Sequence, residues 1–234
     1  MTTKNTRTRR LDLMQKLVLP IKDFKPTAGY KNYKYRKYWG YNHYGVDCGS
    51  PSKNRALYGL GNGTVVAAGL DGLNGKTTGA GSGCGYCLII IYKDCYNRRT
   101  KGVMDVVCTY MHMAALPKVK AGDKVTAKTL LGYYGNTGAA TSGPHLHIQF
   151  DTDTAHPLYC TGLSSKGHAL LRRGSVDSTV NPTELLNIGE GQTMTYTHNE
   201  WYEYYDFKAI EAQPVKKKPK AEKEDDGVIH ITVK

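Results

Sequence analysis

The chain has 234 residues, including 26 glycines and 18 tyrosines, and a formal net charge of +12. This length allows one good-sized domain with appendages, and no run approaches the ~20 apolar residues needed to span a bilayer. The many glycines and tyrosines and the scarcity of long apolar helical stretches predict a β-rich protein with many turns.

Short apolar segments predict a series of strands along the chain. The segment that starts the series contains Pro20, which suits an edge strand. The basic residues 4–10 before it could contact nucleic acid, although a solvated tail is the simpler interpretation. The predicted strands cover residues 17–21, 55–59, 63–69, 87–92, 106–113 and 130–134, and residues 119–125 are predicted to form a turn that leads into a further short strand.

Two local strand pairings are predicted. Residues 55–59 and 63–69 are expected to be joined by a tight Gly-Asn-Gly turn. The buried strand at residues 87–92 is expected to pair with the strand at 106–113 across a turn at 97–102. Strict alternation along that second strand would place three side chains on one face, namely Cys108, Tyr110 and His112.

The most informative stretch is residues 141–150. Pro144 lacks a backbone N–H and suits the first position of a strand. His145 and His147 are two residues apart and would point to the same face of that strand. The opposite face would be apolar and pack on the core, since it carries Leu146, Ile148 and Phe150.

A second imidazole–carboxylate pair lies about a hundred residues upstream. His43 and Asp47 are four positions apart and follow a loop, residues 29–42, that contains five tyrosines. Two histidine nitrogens and one carboxylate oxygen form the three-ligand set of a catalytic zinc, which leaves the fourth position to water. His112 could bring a further imidazole to the same place.

Three motifs in this order resemble those of the lysostaphin-type zinc endopeptidases, bacterial and phage enzymes that cut peptidoglycan peptides. A His-x3-Asp motif comes first, a Tyr-x-His strand second, and Ser-Gly-Pro-His-Leu-His last, preceded by Gly-Asn-Thr-Gly. The resemblance covers roughly residues 17–187. The motifs occupy residues 43–47, 110–112, 142–147 and 135–138.

The resemblance implies a mainly β fold with an antiparallel sheet core, long loops and a short closing helix. It also implies that zinc is bound by His43, Asp47 and His147, and that His112 and His145 are the catalytic pair. How the pair divides proton transfer and oxyanion stabilisation is left open. In the family a tyrosine of the first loop often assists, and the candidates here are Tyr33, Tyr35, Tyr38 and Tyr41.

The chain departs from the family pattern after Phe150. Family members usually pass quickly to an Asn-Pro and a short helix, predicted here at residues 181–186, whereas this chain inserts residues 151–180. We expect the insertion to line the substrate groove, where Arg172 and Arg173 would suit carboxylates of stem peptides or wall polymers. A solvent-facing excursion is the alternative.

The remaining features complete the predicted organisation. His156 and His168 in the insertion are more simply surface histidines than ligands. The six cysteines are expected to be mostly reduced, with disulfide formation after release as the alternative. The predicted parts are a basic arm at residues 1–16, a zinc endopeptidase domain at 17–190, an aromatic extension at 191–213, and a charged linker with a strand-like end at 214–234.

The resemblance predicts a zinc metalloendopeptidase that cleaves cross-bridge or stem peptides of peptidoglycan. No apolar secretory segment follows Met1, so we expect a phage endolysin or virion-associated hydrolase that acts at the cell wall after holin-type release or delivery in a virion. Expected partners are peptidoglycan, anionic wall polymers and phage virion or lysis proteins. We expect the chain to have no membrane span.

Two other functions compete with this prediction. A non-catalytic cell-wall-binding or morphogenetic protein on the same fold would normally lack one or more of the five site residues, and all five are present. A basic nucleic-acid-binding β protein would explain the charge but not the set of histidines and aspartate.

Overall fold

The computed structural model describes residues 14–32, 35–37, 42–72, 75, 77, 83–154, 178–188, 221–223 and 229–231. Several features singled out above lie outside these residues and stay predictions. They are the basic stretch 4–10, Tyr33, Tyr38, Tyr41, His156, His168, Arg172, Arg173 and the extension 191–213, together with one of the six cysteines, Cys160.

Strands account for most of the regular structure in the described part of the chain. Its helical elements are a 3-10 turn at Pro182–Glu184 and a helical turn at residues 35–37. Within those residues, no helix is long and apolar enough to span a membrane. The strands are β1 (Lys25–Ala28), β2 (Val46–Gly49), β3 (Ala56–Tyr58), β4 (Gly63–Leu70), β5 (Tyr86–Tyr96), β6 (Val103–Met113), β7 (Lys124–Val125), β8 (Leu130–Tyr133), β9 (Leu146–Asp151), β10 (Thr179–Val180), β11 (Ala221–Lys223) and β12 (Ile229–Ile231).

The main sheet follows the order β1-β2-β9-β6-β5-β4-β7, and β10 also pairs with β9. Each neighbouring pair is antiparallel, so the predicted antiparallel β core is confirmed. Strand β9 shows why the sheet forms: alternate residues Leu146, Ile148 and Phe150 belong to the core, and His147 lies between them on the other face.

The long hairpin of β5 and β6 is also confirmed. Ile90 lies opposite Cys108 and Tyr92 opposite Val106 in an antiparallel register. The predicted turn between these strands is stabilised by Asn97, whose side-chain oxygen accepts hydrogen bonds from backbone N–H groups within the turn. This hairpin lies within the main sheet, between β9 on one side and β4 on the other.

The other predicted hairpin, residues 55–59 with 63–69, is wrong. Strand β3 pairs with β8 in a separate two-stranded sheet, whereas β4 pairs with β5 and β7 in the main sheet. The turn between β3 and β4 carries the chain from one sheet to the other. The polar backbone groups of Asn62 in that turn bond to the Gln15 side chain, which takes the place of a hairpin partner.

The two sheets enclose one large apolar core. Leu57 and Leu131 of the small sheet pack there with Tyr92, Tyr110 and other side chains of the main sheet. The helical turn predicted after residue 181 closes one side of this core: it forms as the 3-10 turn Pro182–Glu184, capped by the side chain of Asn181.

The edge strand predicted at residues 17–21 is wrong. Leu17 and Ile21 are buried in the core, but the segment forms no strand. Pro20 has no N–H to contribute to a ladder, and the segment bonds the small-sheet side only through single contacts at Val18 and at the carbonyl of Pro20. Of the cysteines, Cys48 and Cys95 are thiols buried in this core.

Candidate metal centre and active site

Two candidate ligands lie opposite each other on adjacent strands. Asp47 of β2 and His147 of β9 are register partners in the antiparallel ladder. Their neighbours Val46, Leu146 and Ile148 point into the core, which places Asp47 and His147 on the other face of the sheet. The strand register therefore brings together two residues that are a hundred positions apart in the sequence.

The third candidate ligand, His43, precedes β2 and is held by its backbone surroundings. Its Nδ1–H donates to the carbonyl oxygen of Gly29 at 2.6 Å, and its own carbonyl accepts from the N–H of Lys31. A carbonyl only accepts hydrogen bonds, so this contact assigns the proton to Nδ1 and leaves a lone pair on Nε2. That lone pair points at the other two ligands.

The three ligand atoms form an equilateral triangle. His43 Nε2, Asp47 Oδ1 and His147 Nδ1 are 3.0 Å from one another along each edge. A tetrahedral zinc with bonds of ~2.0–2.1 Å requires neighbouring ligand atoms to be about 3.3 Å apart, so the triangle is close to that size. Lone pairs on His43 and on the carboxylate converge there, and they need a proton or a cation between them. The residues present fit a metal ion.

The electrostatics of the triangle also suit a cation. Burial alone would raise the pKa of Asp47, but its interactions with the His43 and His147 imidazoles hold that pKa well below its usual value. Burial lowers the pKa of His147, partly offset by Asp47. Asp47 is therefore held in its charged form, while the buried His147 favours the neutral imidazole, and these are the forms of the two groups that bind divalent metals.

Gly45 has a role at this site that sequence reasoning missed. A Cβ atom at this position would lie 2.6 Å from His147 Nε2 and 2.5 Å from the carbonyl oxygen of Ile148. Any side chain would displace the candidate ligand His147 or its strand. The signal was present in the sequence, since this glycine lies between His43 and Asp47 in the first motif.

The side chain of His112 points to the site, although strict alternation along β6 predicts that it points into the core. Alternation places it on the face of Cys108 and Tyr110, but those two side chains lie in the core and His112 does not. The backbone of His112 has a positive φ of 60°, at an irregularity in the pairing of β5 with β6. This bulge turns the imidazole to the site face and returns Met113 to the core. The predicted shared face is therefore wrong, although the proximity to the other histidines is correct.

His145 completes the group. Its ring centroid is 4.8 Å from that of His112, and its Nε2 is 3.5 Å from Asp47 Oδ1. Its Nδ1 lies 2.8 Å from the carbonyl oxygen of Gly143 and 3.3 Å from the hydroxyl of Thr141. His145 and His147 thus both face the site, as their two-residue spacing predicts.

The protonation of His112 follows from its surroundings. Burial lowers the pKa of His112 to about 4, with further lowering from His147 and His145; the carbonyl of Thr137 and the charge of Asp47 offset part of this. At neutral pH the imidazole is therefore neutral. Its Nδ1 lies 2.9 Å from the Thr137 carbonyl oxygen, so Nδ1 carries the proton and Nε2 carries the lone pair.

One of the four candidate tyrosines is described, and it contacts the candidate ligand His43. The ring of Tyr35 stacks on the imidazole of His43, with centroids 4.4 Å apart and an interplanar angle of 28°. The backbone N–H of Tyr35 donates to the side chain of Asn32, which fixes the start of this turn. The other three tyrosines are outside the described residues.

A family match covers the whole site. The model named "Peptidase family M23" matches residues 41–158, just over half of the chain. The matched residues include the three candidate ligands and both additional histidines.

Several solved structures are similar to this chain. A zinc-containing peptidase from Vibrio cholerae is 22% identical with a TM-score of 0.43, over 59% of this chain and 37% of that protein. The antimicrobial peptidase lysostaphin from Staphylococcus simulans is 25% identical with a TM-score of 0.45, over 76% of this chain and 56% of lysostaphin. The catalytic domain of the prophage-encoded M23 protein EnpA from Enterococcus faecalis is 20% identical with a TM-score of 0.41, over 70% of this chain and 95% of that domain. The chain thus spans well under two thirds of the first two proteins.

Proposed function

The chain belongs to peptidase family M23, and we propose that it is a zinc-dependent endopeptidase that cleaves cross-bridge or stem peptides of bacterial peptidoglycan. The observation that carries the proposal is the triangle of ligand atoms with 3.0 Å edges beside two further imidazoles. Structural histidines would not need to converge in this way on a single carboxylate.

In the proposed enzyme, His43, Asp47 and His147 hold the zinc ion. A zinc ion bound there supplies Lewis acidity, which acidifies water and polarises a carbonyl. Tyr35 covers one face of His43, and the Gly29 carbonyl fixes the orientation of that ring. The Gly29 contact keeps His43 in the tautomer that a metal requires.

The two other histidines supply proton transfer. The neutral imidazole of His112 has its lone pair on Nε2 and can accept a proton from the attacking water. Nδ1 of His145 is engaged by the Gly143 carbonyl, so its Nε2 is the end available to the reaction. In its protonated form that nitrogen donates to the developing oxyanion or to the leaving amine. The Nδ1–H tautomer of His112, together with its lowered pKa, supports this division of duties.

The proposed place of action is the bacterial cell wall, after holin-type release or delivery in a phage virion. A net charge of +12 would attract the protein to anionic wall polymers, as suits a wall hydrolase. This electrostatic attraction would weaken with added salt.

Mass spectrometry of released muropeptides tests the proposal. Sacculi of several wall chemotypes are incubated with the protein as purified, after chelation, and after zinc is returned. We expect new peptide termini in the first and third samples and none in the second. Binding to sacculi without release of any peptide, whatever the metal content, would overturn the proposal and favour the non-catalytic alternative.

A further inference from the structure

Thr137 joins the two strands on either side of the bulge at His112. Its hydroxyl donates to the carbonyl oxygen of Met113 at 2.7 Å and accepts from the backbone N–H of Tyr86 at 3.0 Å. Tyr86 and Met113 are themselves register partners at the ends of β5 and β6. One hydroxyl therefore satisfies a donor and an acceptor that the irregular pairing leaves beside the bulge.

Two glycines bring the segment of Thr137 against the turn before β5. Gly85 and Gly138 both have positive φ angles, of 67° and 93°. A Cβ on Gly85 would overlap the carbonyl of Thr137, and a Cβ on Gly138 would overlap the carbonyl of Gly83. Only glycine at both positions allows this approach, which explains the glycine of the Gly-Asn-Thr-Gly motif at position 138.

These contacts hold His112 at three points. Its backbone N–H donates to the carbonyl of Cys84, its carbonyl accepts from the N–H of Gly135, and its Nδ1–H donates to the carbonyl of Thr137. The first two contacts fix the backbone of the bulge. The third fixes the ring, because a carbonyl acceptor selects the tautomer with the proton on Nδ1.

We propose that Thr137 is a positioning residue for His112: its hydroxyl locks the peptide whose carbonyl binds Nδ1–H, so that the lone pair of His112 stays on Nε2, toward the reaction. The inference rests on the proposed function for its kinetic consequence, but the tautomer itself is independent of any activity. Thr137 touches no ligand of the metal triangle in the contacts described, so its effect should leave metal binding intact.

The test compares Thr137→Val, Thr137→Ser and a control, Thr183→Val, in the full zinc-loaded chain. Valine keeps the shape of threonine but loses both hydrogen bonds, whereas serine keeps the hydroxyl. Thr183 is a fully buried threonine whose hydroxyl bonds to Asn181, away from the histidines. Three readouts are needed: zinc content, kcat and KM on a wall peptide, and the tautomer of His112 from 15N NMR of histidine-labelled protein.

For Thr137→Val we expect unchanged zinc, kcat lower by at least about tenfold with KM within about twofold, and a mixed tautomer at His112, since small misplacement of a catalytic group is costly. Thr137→Ser should restore the kcat and the single tautomer, and Thr183→Val should alter neither. Wild-type kcat and a single Nδ1–H tautomer in Thr137→Val would overturn the inference. So would an Nε2–H tautomer for His112 in the wild-type protein, a result that requires no variant to fold and no substrate to be cut.

Discussion

Asp47 and His147 face each other directly across the β2–β9 ladder, with Asp47 Oδ1 and His147 Nδ1 3.0 Å apart. Both strands bury their alternate side chains in the core. A shift of one residue in the register would send each of these two candidate ligands into the core and an apolar residue to the site, so the register is strongly specified. The packing of the sheet on the core therefore determines the relative positions of Asp47 and His147 in the candidate centre.

Removal of a ligand should remove the metal. His147→Ala leaves two of three protein ligands, and we expect zinc, at one ion per wild-type chain, to fall to background after gel filtration. Metal analysis by mass spectrometry is the measurement, and His145→Ala serves as the matched control because its ring lies outside the triangle of ligand atoms. Unchanged zinc in His147→Ala would rule out the ligand assignment.

Removal of either His112 or His145 should slow peptide cleavage without loss of the metal. His112→Ala and His145→Ala are expected to keep zinc and fold while peptide cleavage falls by at least about a hundredfold, the scale of general acid–base assistance. Zinc content, circular dichroism and cleavage rate are measured on the same preparations. Near wild-type turnover in both variants would mean that these histidines only neighbour the reacting groups.

The buried, neutral state of His112 predicts an acid sensitivity of the fold. The pKa of His112 is lowered from 6.5 to about 4 in the folded protein. As the pH falls, His112 is therefore protonated in the unfolded chain before it is protonated in the folded protein. This difference leaves the free energy of unfolding unchanged above about pH 6.5 and lowers it progressively between pH 6.5 and pH 4. The loss is on the order of 2–3 kcal/mol in the metal-free protein.

Urea unfolding of metal-free wild-type protein and His112→Gln between pH 7.5 and pH 4 measures this effect. We expect the variant, which has no proton to gain at this position, to lose less stability over the range. Parallel curves for the two proteins would show that His112 is already protonated or solvated in the fold.

The ends of the insertion suggest how to remove it. The backbone N–H of Thr152 donates to the carbonyl of Ser178 at 2.9 Å, and Thr179 pairs with Asp151 in the β9–β10 ladder. A short Gly/Ser turn in place of residues 153–177 should therefore preserve the fold and the metal. Our prediction is that it changes which wall peptides are cut.

Zinc content, melting temperature and cleavage across three peptidoglycan chemotypes are compared for the parent, the shortened chain, and a full-length control with Arg172→Gln and Arg173→Gln. If carboxylate recognition by the arginines is the basis of selectivity, the control should lose the same preference as the shortened chain. A shortened protein of equal stability that cuts every chemotype at the parental rate would exclude a role of the insertion in recognition.

Local periodicity explains which parts of the site could be predicted. The spacing of His145 and His147 is enough to place both on one face, since side chains on a strand alternate regardless of distant contacts. The apolar residues between and after them, Leu146 and Ile148, show which face is the core. The same reasoning locates the long hairpin, because its strands are adjacent in sequence.

Non-local contacts explain what could not be predicted. The bulge at His112 depends on Cys84 and Thr137, which lie more than twenty residues before and after it in the sequence. No local sequence pattern predicts this bulge. The strand with which β3 pairs could not be predicted from local pattern either. A three-residue strand carries too little pattern to distinguish pairing with β8 from pairing with the adjacent β4.

The left-handed backbone of His112 has a consequence for how such a chain would evolve. A residue with a Cβ in this conformation costs about 1 kcal/mol relative to glycine, and asparagine tolerates it better than most. If only stability were under selection, substitution to glycine would be favoured here. A histidine at this position thus opposes the thermodynamic preference of its own backbone, which is the pattern expected where chemistry, and not folding, determines the residue.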